Sequence, residues 1–276
     1  MRQRTGRLAA ILGLLGLALL GGCGTERVAQ APQIQPRARM PWQAAIGELT
    51  SHGADLHCSA VLVAPDVIAT AAHCLYLETT KRAASPYDLI FRPNLGALRA
   101  LPPSRGTAYI AKGGEIRLGN LRNEDVSKDW VLVRISPPVN AVQPIAAAGL
   151  PIAGMLKMIR SGNRLVVAGY GNGANDSLKV SEDCRLLSQK ELGLFPDDTW
   201  LQLDCVIRIG GSGGGIILLD GAGQPALIGL INGIGRNPKH KTKPMALGVN
   251  ASQFASYLRP VSEAAPTTWL AELPPN

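Results

Sequence analysis

Three short segments follow one another along the chain: Thr70-Ala71-Ala72-His73-Cys74, Asp129-Trp130-Val131-Leu132-Val133 and Gly210-Gly211-Ser212-Gly213-Gly214. They carry an imidazole, a carboxylate and a hydroxyl, the groups that acyl transfer through a nucleophilic serine requires. A serine hydroxyl attacks a carbonyl only when a base takes its proton, and an imidazole serves as that base once a carboxylate fixes its tautomer. Glycines beside the serine let main-chain N–H groups converge on the oxyanion formed in the transition state. Each segment alone has a plainer reading. A lone histidine is more often a satisfied core residue, and four glycines also make an ordinary turn. Glu124 and Asp125 rival Asp129, but only Asp129 directly precedes an apolar run that would bury it. A zinc site at Cys58, His73 and Cys74 fails on spacing, because zinc ligands usually come in pairs about two to four residues apart. The chemistry calls for no metal and no organic cofactor.

The elements that must hold these groups are short. The chain has 276 residues and 46% hydrophobic content, enough for real cores. Only 4% is aromatic, against 31 glycines and 20 prolines, which suits many strands and tight turns better than long helices. Ser59–Val63 and Val67–Ala71 are apolar runs divided by the turn signal Ala64-Pro65-Asp66. Further strands are expected at Glu115–Leu118, Trp130–Ile135, Leu165–Gly169, Ile216–Leu219 and Ala226–Ile231. Ala251 to Leu258 has Phe254, Tyr257 and Leu258 at the spacing of one helical face. The stretch from Pro137-Pro138 to Pro144 reads as a crossover, and no internal repeat is visible.

The net charge of +8 is unevenly placed. Residues 1–39 hold six arginines against Glu26 alone, so the remainder stands at only +3 and has no nucleic-acid footprint. Arg2, Arg4 and Arg7 precede an uncharged apolar run from Leu8 to Gly22. That run is short of the roughly 20 residues a spanning helix needs and suits the core of an export signal. It ends in Leu20-Gly21-Gly22-Cys23, which resembles a bacterial lipobox and marks Cys23 for lipidation; an ordinary secretory signal is the alternative. Residues 24–39 read as a tether. Five cysteines leave an even set of four once Cys23 carries lipid, which fits an oxidising compartment. The expected location is the cell envelope or periplasm, membrane-anchored through Cys23.

The motifs resemble those of the chymotrypsin/trypsin-like serine proteases. Ala71-Ala72-His73-Cys74 stands as that family writes its histidine motif. Asp129-Trp130-Val131-Leu132 and Gly210-Gly211-Ser212-Gly213-Gly214 are similar to its aspartate and serine segments. Pro41-Trp42-Gln43, Ala168-Gly169-Tyr170-Gly171 and Gly229-Leu230-Ile231-Asn232-Gly233 resemble further landmarks, so the likeness covers about residues 41–258.

The resemblance implies an all-β fold of two packed antiparallel β-barrels with a short C-terminal helix. With the N-terminal segment read above, the chain divides into an export signal (1–22), a lipid-anchored linker (23–39), a protease domain (40–259, its barrels meeting near 140) and a tail (260–276). The resemblance implies that Ser212 attacks the scissile carbonyl, that His73 relays the proton and that Asp129 orients His73, with Gly210 and Ser212 N–H groups as the oxyanion hole. It places Val206, Ile207, Ile231, Asn232 and Gly233 around the specificity pocket, and with no acid at its floor a preference for medium apolar residues follows. It also implies a Cys58–Cys74 disulfide and leaves Cys184 to pair with Cys205. The substrate would be a protein or peptide and the enzyme a monomer.

Two departures stand out. Gly211 replaces the family's aspartate before the serine, and Arg39-Met40-Pro41-Trp42 replaces the start that supplies a freshly cut amine. Losing both is self-consistent, since a lone buried aspartate would be an unpaired charge. Either the site forms without N-terminal cleavage or its oxyanion hole is poorly made; the residues leave both open. A catalytically silent binding module of the envelope is the rival from another class. An α/β-hydrolase esterase fits less well, because its histidine comes last. Arg236, Lys239, His240, Lys241 and Lys243 form either a solvated basic loop or a rim for anionic groups.

Overall fold

Alternation of side chains along each strand decides how this molecule is layered. The computed structural model describes residues 40–51, 56–77, 80–94, 101–115, 123–171, 177–192, 197–205, 211–236 and 244–261. The export segment, Cys23, the linker, Val206, Ile207, Gly210, the basic loop beyond Arg236 and residues 262–276 lie outside them.

After a single 3₁₀ turn at Pro41–Ala45, the first half contributes β1 (Ile46–Ser51), β2 (His57–Ala64), β3 (Val67–Thr70), the small hairpin β4 (Tyr76–Leu77) and β5 (Arg82–Ala83), then β6 (Leu89–Pro93), β7 (Ser104–Lys112) and β8 (Val131–Ser136). Six of them close into an antiparallel barrel in the order β1-β2-β3-β8-β7-β6. Strand β8 is buried throughout Val131–Val133 and alternates only after that, with Ile135 buried between the exposed Arg134 and Ser136. All four residues of β3 are buried, the pattern of a strand covered on both faces.

The second half contains α1 (Ile152–Arg160), β9 (Arg164–Gly169), β10 (Lys179–Ser181), a one-turn α2 (Gln189–Leu192), β11 (Trp200–Leu203), β12 (Gly215–Leu219), β13 (Pro225–Arg236) and β14 (Pro244–Asn250). Its strands form one six-stranded antiparallel sheet, ordered β10-β9-β12-β13-β14-β11, which the ladder among the described residues does not close into a second barrel. Period-two alternation splits this sheet between two cores. Val166, Ala168, Ile217, Leu219, Leu227 and Leu230 join the core of the first barrel. Their neighbours Leu165, Val167, Ile216, Leu218, Ile228 and Ile231 pack instead with Ile152 and Met155 of α1. The sheet is therefore apolar on both faces, and its first face seals the seam on which the chemistry sits.

The expected strands at Ser59–Val63, Val67–Ala71, Trp130–Ile135, Leu165–Gly169, Ile216–Leu219 and Ala226–Ile231 are present within a residue or two, although β13 runs on to Arg236. Glu115 lies outside any strand, and residues 116–118 fall outside the described ones. The C-terminal helix is not α-helical: Ala251–Gln253 and Ala255–Val261 are two 3₁₀ turns, broken at Phe254, whose ring is buried. Conversely, helix α1 stands where the sequence reading expects no element. Among the described residues no helix is long and apolar enough to cross a membrane.

Candidate active site

Strand β3 delivers His73. The chain leaves β3 at Thr70 and turns through a 3₁₀ segment, Ala72–Leu75, that buries all four of its side chains. A disulfide between Cys58 of β2 and Cys74 pins that turn to the barrel wall. It also joins the two sulfurs to each other, so the close grouping of Cys58, His73 and Cys74 offers no thiolate pair to a metal.

Asp129 arrives from the other side, on the last residues before β8. Its main-chain N–H bonds back to the Val126 carbonyl at 3.3 Å, closing a turn that follows the 3₁₀ segment Asn123–Lys128. Both of its carboxylate oxygens are used on one residue. Oδ2 lies 2.7 Å from Nδ1 of His73, and Oδ1 accepts the main-chain N–H of His73 at 2.8 Å. Asp129 is fully buried and His73 is 1% exposed, so water does not compete for either bond. A carboxylate on Nδ1 places the ring proton there and leaves Nε2 as the free base. Among the described residues Nε2 has no hydrogen-bond partner.

Ser212 is positioned by its backbone. Its carbonyl accepts the Ser59 N–H at 2.7 Å, and the next N–H, of Gly213, donates to the Ile231 carbonyl at 2.7 Å. Ser59 is itself a junction: its carbonyl accepts the Thr70 hydroxyl at 2.7 Å and its hydroxyl accepts the Tyr170 N–H at 2.8 Å. The serine loop is thus hydrogen-bonded to both halves of the molecule. This tight approach explains one glycine. Gly213 has φ +78, and a Cβ there would stand 2.1 Å from the Thr70 hydroxyl oxygen and 2.2 Å from the Ser59 carbonyl. The Ser212 hydroxyl faces the main-chain carbonyl of Asn232 at 3.5 Å, too long for a strong bond. No hydrogen bond joins it to His73 among the described residues. The Ser212 N–H likewise donates to no group among the described residues.

The second disulfide, Cys184–Cys205, ties the end of β11 to the segment before α2, just ahead of the residues that lead into the serine loop. Both expected pairings are therefore present. The segment expected as a pocket wall divides into three roles. Ile231 packs its side chain into the core against α1, Asn232 turns its amide toward the Asp129 turn, and Gly233 alone borders open space. Val206, Ile207 and Gly210 lie outside the described residues.

Asn232 is expected from the sequence only as part of the pocket wall; its bond to the Asp129 turn is what that reading missed. A signal was present: an amide inside the apolar run Leu230-Ile231-Asn232-Gly233-Ile234 must find partners if the strand is buried.

The described cavity on the first barrel, about 160 Å³, lies beside the residues following His73 and is lined by Tyr76, Lys81, Arg82, Tyr109, Lys112 and Glu115 among others. Tyr109 donates to the Ala84 carbonyl at 2.6 Å, and burial first, then the charge of Asp88, pushes its phenol up to about 12.

Comparison with known proteins agrees with this architecture. The family model described as Trypsin matches residues 30–257. Kallikrein-11 of Mus musculus is 28% identical over 180 residues, covering 63% of this chain and 58% of that protein. Kallikrein-2 of Homo sapiens is 31% identical over 149 residues, covering 50% and 53% respectively. The chain thus spans a little over half the length of these curated relatives. The match to the family model over most of the sequence, joined to the antiparallel barrel and the histidine–aspartate pair at its seam, establishes that this chain belongs to the trypsin family of serine proteases.

Proposed function

We propose that this chain is a serine endopeptidase that cleaves peptide bonds through Ser212, His73 and Asp129. The observation that carries the reading is the double grip of Asp129 on His73, through ring nitrogen and main chain, in a dry wall beside the serine loop. Ser212 attacks the carbonyl carbon while Nε2 of His73 takes its proton. Asp129 stabilises the imidazolium that results. His73 then hands the proton to the leaving amine, and water, deprotonated by the same imidazole, hydrolyses the acyl-enzyme. The Ser212 N–H, with that of Gly210, would bind the oxyanion; loss of one such donor typically costs about 3 kcal/mol. The hydroxyl must turn from the Asn232 carbonyl to Nε2, which accords with the long catalytic hydrogen bonds common in unliganded enzymes.

The pocket reading, Val206 and Ile207 at the floor with Gly233 at the open wall, favours a medium apolar residue before the scissile bond. Residues 40–259 act as the protease domain of an exported, monomeric lipoprotein held to the envelope through Cys23. The test is a peptide-library cleavage profile of the purified protein beside Ser212→Ala. Turnover in the variant should fall about a million-fold, as when a triad serine is removed elsewhere; undiminished cleavage would reject the assignment.

The 3.5 Å gap between the serine hydroxyl and the Asn232 carbonyl, with no bond to His73, favours one second reading: a silent, protease-like binding module of the envelope. Such a module would cleave nothing in the library.

A further inference from the structure

We infer that Asn232 is a positioning residue for the acid–base pair, locking the Asp129 turn onto the strand that faces Ser212; the inference rests on the triad proposed above. Strand β13 changes register against β14 between Ile231 and Gly233, so Asn232 is the extra residue of a β-bulge. A bulge re-aims one side chain out of the pleat's alternation. Here it points an amide, 2% exposed, at the turn that carries the acid. Nδ2 donates to the Asp129 carbonyl at 2.9 Å and to the Val126 carbonyl at 3.3 Å. Oδ1 accepts the Val249 N–H at 2.7 Å. Every hydrogen-bonding group of the side chain is therefore engaged, and the first and last carbonyls of the acid turn, those of Val126 and Asp129, meet on one amide.

The same residue borders the nucleophile. Its main-chain carbonyl faces the Ser212 hydroxyl at 3.5 Å, and the carbonyl before it, of Ile231, accepts the Gly213 N–H. Two consecutive residues of β13 thus fix the serine loop through the backbone and the aspartate turn through a side chain. The first barrel supplies base and acid, the second sheet supplies the nucleophile, and Asn232 sets the spacing between them. Alanine would strand the Asp129 carbonyl and the Val249 N–H, and would leave the Val126 carbonyl with the Asp129 N–H alone. Aspartate would keep the acceptor for Val249 while turning both donors into a negative charge facing two carbonyls.

A matched control exists in the same sheet. Asn250, fully buried, makes the same set of bonds: Nδ2 to the Leu150 and Asp198 carbonyls at 2.9 and 2.7 Å, Oδ1 from the Ser252 N–H at 2.9 Å. None of those partners belongs to the acid turn or the serine loop. The experiment compares wild type, Asn232→Ala, Asn232→Asp and Asn250→Ala by urea unfolding, by kcat and KM on a cleaved peptide, and by the rate at which a fluorophosphonate labels Ser212. Both alanine variants should lose similar stability. Asn232→Ala and Asn232→Asp should lose about 10- to 100-fold in kcat and labelling rate with KM little changed, the scale on which small misplacements of reacting groups act. Asn250→Ala should label at close to the wild-type rate.

A folded Asn232 variant that labels as fast as wild type overturns the inference, as does an Asn250→Ala variant that slows equally. The near-isosteric aspartate variant keeps the test open should the alanine variant not fold. Absence of labelling in the wild type would instead strike at the triad, and this inference would fall with it.

Discussion

The two halves of the site are held in opposite ways. On the first barrel, His73 and Asp129 are almost completely buried and joined side chain to side chain and side chain to main chain at 2.7 and 2.8 Å. On the second sheet, Ser212 is only partly buried, its loop is fixed by main-chain bonds at 2.7 Å, and its hydroxyl is uncommitted. The difference matches what the proposed mechanism asks of each group. There the pair has one geometry to keep throughout a reaction cycle, and a dry environment strengthens its hydrogen bonds. In that mechanism the hydroxyl moves between base, carbonyl carbon and acyl-enzyme, so fixing its backbone while leaving its χ1 free serves it better.

Breaking the rigid half should therefore cost more turnover than stability, and breaking the serine half's backbone the reverse. Asp129→Asn removes the charge and offers the wrong tautomer to the imidazole, so kcat should drop about 10⁴-fold while the fold survives, as steady-state kinetics and circular dichroism would show. An Asp129→Asn protein with near wild-type turnover would mean that the pair is structural. Gly213→Ala attacks the other half. Its Cβ meets the Ser59 carbonyl and the Thr70 hydroxyl in a left-handed backbone position, so stability should fall by about 3 kcal/mol or more in urea unfolding. Stability unchanged in that variant would show the seam between the halves to be looser than its hydrogen bonds indicate.

The smallest effect sharpens the comparison from behind the histidine. Tyr109 bonds the Ala84 carbonyl, and the Ala84 N–H bonds Leu75, the last residue of the histidine turn. Its folded pKa, about 12, lies above the ordinary 10.0, so the stability tied to the neutral phenol is intact below pH 10 and is lost as pH climbs toward 12. Ultraviolet titration should show one of the five tyrosines ionising near pH 12, and Tyr109→Phe should remove that step. A titration in which every tyrosine ionises at an ordinary pH would show this corner to be wet.

The reacting residues of both halves were legible in the sequence. His73 and Asp129 sit in short local motifs, each beside a strand whose apolar run announces it, and a disulfide partner lies next to the histidine. The serine loop was legible for the same reason, since the glycine forced by the close approach of Ser59 and Thr70 is visible in the letters. What escaped depends on tertiary geometry. Strands β1, β6 and β7 mix polar and apolar residues because one face of the barrel wall is wet, and they gave no continuous run. Helix α1 was hidden by its brevity, although Ile152, Met155, Leu156 and Ile159 stand at helical spacing directly after Pro151. The C-terminal segment carried a helical pattern, yet a break at the buried Phe254 left it as two 3₁₀ turns. The turning of Asn232 from the pocket wall to the acid turn was not legible, because the bulge that re-aims it belongs to the pairing of β13 with β14 and no local pattern encodes that register.

The most direct test of the central claim is site-mapped fluorophosphonate labelling of the native protein followed by peptide mass spectrometry. The account predicts a single adduct on Ser212, abolished in Ser212→Ala and strongly slowed in His73→Ala. An unlabelled Ser212, or an adduct that forms as fast without His73, would contradict it.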